Sequence, residues 1–124
     1  MSFSEIHARL GNTALLYMLI VSLWGFYRFF RRQGVDSAYW GMLAIAELLM
    51  IAQAGIGVYL WLEGARPPRS IHLLYGALIP ALIPGAYFYT RGRGGRPEIL
   101  VYGTATIITV GLIIRAIFTG QVSL

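Results

Sequence analysis

The chain has 124 residues, of which 57% are hydrophobic and 12% charged, and its formal net charge is +5. Soluble domains carry about a quarter of their residues as Asp, Glu, Lys or Arg, so this composition excludes a water-soluble globular enzyme, and its apolar content excludes a disordered chain. The absence of cysteine excludes disulfide scaffolds, zinc–thiolate sites, iron–sulfur clusters and covalent c-type haem attachment.

Four apolar runs follow one another, over residues 10–27, 39–62, 71–89 and 99–118. Each is about 18 residues or longer, enough for a tilted helix across a hydrocarbon core of roughly 30 Å. The first is preceded by Ser2 and Glu5 at capping-box spacing and followed by Arg28, Arg31 and Arg32. Its flank carries Glu5 as well as Arg9, and no small-residue cleavage site follows, so it reads as a retained span and not as a signal peptide. Residues 34–37, Gly-Val-Asp-Ser, break the chain before the second run, which contains Glu47 and Gln53. Residues 64–70 break it again, and Ser70 is placed to cap the third run. That run reads Ile-Pro-Ala-Leu-Ile-Pro-Gly over 79–85; Pro80 and Pro84 predict a bend and two freed carbonyls. The Gly/Arg/Pro segment 91–97 leads into the fourth run, with Arg115 near its far end.

The expected fold is therefore all-α, a four-helix transmembrane bundle in one integral membrane domain. Strands of about ten alternating residues, the barrel signature, are absent. All ten basic residues are arginine, clustered between spans as in membrane proteins and not as a nucleic-acid footprint. Arg28, Arg31, Arg32, Arg91, Arg93 and Arg96 fall on one side, and Arg9, Arg66, Arg69 and Arg115 on the other. The positive-inside rule puts the first group in the cytoplasm and both termini outside, in an inner or cytoplasmic membrane.

A shift of 65 positions aligns Ile6-His7 with Ile71-His72 and Gly11 with Gly76. Each copy reads Ile-His-x-x-x-Gly and opens a span. With another offset, Gly55 meets Gly111 and Gly64 meets Gly120. The chain thus reads as two tandem two-helix hairpins, a parallel repeat.

His7 and His72 are the only histidines, both at the outer end of alternate helices. Haem iron takes axial ligands from its two faces, so two imidazoles converging from different helices suit it. A glycine four residues later on the same helix face lets a flat macrocycle approach. The expected site is one bis-histidine haem b with His7 and His72 as metal ligands, Gly11 and Gly76 clearing space, and Arg115 facing a propionate. Arg9, Arg66 and Arg69 are further cations at that end, which snorkelling to headgroups also explains. Glu47 is an intramembrane carboxyl that either moves protons, contacts a quinone, or packs as a neutral hydrogen-bonded group. Gln53 reads as an interhelical hydrogen bond.

At these residues the chain resembles one four-helix half of the haem A synthases and, more broadly, small four-helix transmembrane b-type cytochromes. The Ile-His-x-x-x-small pattern opening alternate spans carries the resemblance, which covers about the whole chain. It implies that His7 and His72 ligate one b-type haem. The family's Glu-x-x-Arg-x-His motif has no counterpart before either histidine, so the resemblance carries the haem site and not the haem-modifying activity. The implied function is electron transfer without independent catalysis, as a small subunit or redox partner of a larger respiratory or photosynthetic membrane complex. The alternatives are a cofactor-free accessory or assembly subunit, with contacts through Gly55, Gly57 or Gly111, and a small transporter using Glu47. No nucleic-acid partner is expected.

Overall fold

The computed structural model describes residues 2–120. They form α1 (Phe3–Phe30), α2 (Ser37–Leu62), α3 (Ile71–Leu78), α4 (Leu82–Thr90) and α5 (Arg96–Gly120), with a 3-10 turn, Ile79–Ala81, between α3 and α4. No strand occurs among the described residues. Counting α3 to α4 as one interrupted helix, four helices are long and apolar enough to cross a membrane. The protein is a multi-pass, all-α four-helix bundle.

The helix ends explain themselves locally. Ser2 caps α1, its hydroxyl accepting the Glu5 N–H at 3.2 Å, and Asp36 caps α2 by accepting the Tyr39 N–H at 2.8 Å. Ser70 does not cap α3 through its side chain, contrary to the sequence expectation. Its backbone is already helical, and its carbonyl accepts the Leu73 N–H instead. The α-helix of the third span is interrupted at Ile79–Ala81, around Pro80, while Pro84 lies within α4. The helices also overrun the apolar runs, and α1 starts seven residues before Leu10. At 28 residues it is about 42 Å long at 1.5 Å per residue, longer than a hydrocarbon core of roughly 30 Å.

Each hairpin packs on itself, α1 on α2 and the third span on α5, but the most extensive contact is α1 with α5, across the repeat. Its centre is a pair of glycines. A Cβ on Gly25 would come 3.4 Å from the Gly103 Cα, and one on Gly103 would meet the Phe26 ring at 3.3 Å. Lipid offers no hydrophobic drive between helices, so close approach through small residues is what holds them. Ser22 adds a hydrogen bond to the Gly103 carbonyl at 3.1 Å. Tyr39 enters from α2, fully buried, and donates to the Val21 carbonyl at 3.3 Å. Tyr102, also buried, meets the Thr90 hydroxyl at 3.0 Å. Thr106 and Thr109 bond back to their own helix, so these buried hydroxyls are satisfied. The large exposed side chains, Leu16, Leu23, Leu48, Val58 and Phe88 among them, are what a lipid-facing surface requires.

The two ends of the bundle differ. At one, the loop before α2 and the loop before α5 interlock, with Val35 N–H donating to the Gly94 carbonyl at 2.7 Å. Arg28 pairs with Asp36 at 3.2 Å and donates to the Gly34 carbonyl at 2.7 Å. Arg96 donates to the Phe29 carbonyl at 3.0 Å and lies 4.2 Å from the centre of its ring. At the other end stand the two histidines.

Candidate functional site

His7 is the fifth residue of α1 and His72 the second of α3. They are 65 positions apart in sequence, yet their ring centres are 6.2 Å apart, with the planes at 80°. A metal–imidazole bond is about 2.0–2.1 Å, so two rings this close would be near enough for both to hold one metal. Both side chains are half-buried.

The surroundings hold each ring differently. The His72 Nδ1–H donates to the Ala116 carbonyl at 2.8 Å, with the Thr119 hydroxyl at 3.3 Å. A proton fixed on Nδ1 leaves the Nε2 lone pair free for a metal, the arrangement that orients most metal-binding histidines. His7 Nδ1 is buried and has no hydrogen-bond partner. The backbone of His7 is held instead: Gln53 on α2 donates to its carbonyl at 2.6 Å. Gln53 is thus the interhelical hydrogen bond its sequence position implies.

The two motif glycines meet different surroundings. A Cβ at Gly11 would come within 3.2 Å of the Gln53 amide nitrogen, so Gly11 opens the path for Gln53 to reach His7. Gly76 has nothing within 4 Å of its Cβ direction. The same motif position therefore does different work in the two copies. The rings rest on two other glycines. A Cβ on Gly57 would lie 3.3 Å from His7 Cε1, and one on Gly120 only 2.6 Å from His72 Cε1. In each hairpin the second helix supplies the notch for the histidine of the first. Gln53 and Gly57 are four apart on α2, as His7 and Gly11 are on α1, so two i, i+4 pairs face each other. That spacing was a readable signal; the Gly120 notch had none beyond its place near the end of α5.

Arg115 lies on the exposed face of α5, with Gly111, Ile114 and Phe118, while Ala116, Thr119 and Gly120 are the α5 residues at His72. Arg66 stacks over Trp61 at 3.7 Å and donates to the Trp61 carbonyl at 2.6 Å. Arg9, Arg69 and Arg115 form no ion pair among the described residues. Glu47 lies ten residues before Gly57 on α2, about 15 Å along the axis, and so apart from the histidines. One of its carboxyl oxygens is buried without a partner.

Among the described residues no three His, Cys, Asp or Glu side chains gather to hold a metal ion. A zinc ion bound by side chains needs three or four ligands. A haem iron takes four nitrogens from its own macrocycle and needs two more, which is the number present. The ring separation, the fixed tautomer of His72 and the orphaned His7 Nδ1 fit that donor set. No protein-family model, curated protein or solved structure matches the chain.

Proposed function

We propose that this membrane protein binds one haem b between His7 and His72 and transfers electrons within a larger respiratory or photosynthetic membrane complex. The observation that carries the reading is the meeting of the only two histidines from separate hairpins at one end of the bundle, 6.2 Å between ring centres. When bound, the haem supplies one-electron redox chemistry. The chain supplies the rest: Ala116 and Thr119 orient His72, Gln53 anchors the helix turn that carries His7, and Arg9, Arg69 and Arg115 are the cations at that end for propionates. The arginine balance supports an orientation with the histidine end and both termini outside and the Arg91–Arg96 loop in the cytoplasm.

The test is the absorption spectrum of the protein purified in mild detergent, oxidised and dithionite-reduced, with a pyridine haemochrome assay. The expected result is a six-coordinate low-spin b-type spectrum. A protein that stays colourless after haem reconstitution contradicts the reading. It would leave the cofactor-free accessory subunit, which one observation favours: Gly55 and Gly111 are exposed with open space before them, as helix faces that dock a partner helix are.

A further inference from the structure

On the lipid-facing side, α4 and α5 leave an apolar groove of about 460 Å³ between them. Its floor is built from small residues, Ala81 and Gly85 on one side and Thr104 and Ala105 on the other. A Cβ on Gly85 would meet nothing within 4 Å. The lining spans eight residue steps on each helix, Ala81 to Tyr89 and Leu100 to Ile108, so the groove is about 12 Å long at 1.5 Å per residue. It opens at the arginine end, because Tyr89 and Leu100 flank the loop that carries Arg91 and Arg93.

That mouth is positive. Arg91 is exposed and has no ion pair among the described residues. Arg93 is 61% exposed, and its one ionic neighbour, Glu98, stands 3.9 Å away and also accepts the Gly95 N–H. Arg96 is turned away to Phe29. Arg91 also ends α4 in the left-handed conformation, φ 54°, a place where glycine is the usual residue because side chains there are strained. An apolar slot of this length with a cationic mouth complements a hydrocarbon chain that ends in an anionic head. The geometry points to a binding site for one anionic phospholipid of the host bilayer, its acyl chain along Ala81, Gly85 and Ala105 and its phosphate at Arg91 and Arg93.

The experiment is native mass spectrometry of the protein released from bilayers of equal phosphatidylglycerol and phosphatidylcholine. The wild type should retain one phosphatidylglycerol per chain, favoured over phosphatidylcholine by roughly tenfold or more. The double variant R91Q/R93Q should lose the preference while still retaining lipid. Gly85→Leu, which fills open space, should lose retained lipid of both kinds with helix content unchanged by circular dichroism; Ala81→Leu, also exposed, replaces it should that variant fail to fold. Equal retention of the two lipids by the wild type overturns the proposal, as does unchanged retention after the groove is filled. A dimer that retains no lipid and that Gly85→Leu dissociates also overturns it, assigning the groove to a second copy of the chain.

Discussion

Gly120 shows how little room the histidine cluster has. Alanine there brings a Cβ 2.6 Å from His72 Cε1, closer than real contacts allow, so the imidazole must move off the Ala116 carbonyl. Gly120→Ala should weaken haem binding by roughly ten- to a hundredfold, the range for losing a group that orients a metal ligand. Titration of the haem-free protein with haem measures it. At Gly11 the added methyl would crowd the Gln53 amide at 3.2 Å. Gly11→Ala should therefore cost about 1 kcal/mol of stability, one interhelical hydrogen bond. The histidines and Gly11 were legible because a repeated six-residue pattern marks them. Gly57 left a trace in its i, i+4 spacing from Gln53, whereas the notch at Gly120 was not legible, because how the two helices of a hairpin pack decides which residue faces the histidine.

At the scale of the helix, ends and crossings carry the stability. Asp36 both caps α2 and pairs with Arg28. Asp36→Ala should cost about 1–2 kcal/mol in thermal or detergent unfolding. Asp36→Asn, which keeps an acceptor for Tyr39 and loses only a half-exposed ion pair, should cost well under 1 kcal/mol. Gly25→Ala, with its Cβ 2.5 Å from the Tyr39 hydroxyl and 3.4 Å from Gly103, should be the more damaging change, since overpacking there forces α1, α2 and α5 apart at about 1–3 kcal/mol. The spans and the proline interruption were legible from hydropathy and from the missing proline N–H. Among helix ends, the start of α1 was legible from the capping-box spacing of Ser2 and Glu5 and not from hydropathy, because Phe3 to Arg9 are of mixed polarity. Ser70 misled for the opposite reason, its backbone being helical before a side-chain cap could form.

For the whole molecule, the bundle is polarised, with interlocked arginine loops at one end and the imidazole pair at the other. A chain without cysteine lets single introduced cysteines report the topology cleanly. Gln33→Cys and Ala65→Cys should label from opposite faces of sealed vesicles, Ala65 from the outer face in the proposed orientation; labelling of both from the same face would contradict the arrangement of spans. Membrane character was legible from composition, since 12% charge cannot solvate such a surface, and the all-α architecture from four apolar runs long enough to span as helices. The dominance of α1 against α5 was not, because the tandem repeat points to pairing within hairpins, whereas the close approach at Gly25 and Gly103 and the Ser22 hydrogen bond join helices of different hairpins.

The measurement closest to the central claim is the reduced-state absorption spectrum of His7→Ala and His72→Ala, each purified beside the wild type. If His7 and His72 hold the haem, the wild type shows low-spin six-coordinate b haem and each single variant loses it. Retention of that spectrum in both variants would contradict the claim.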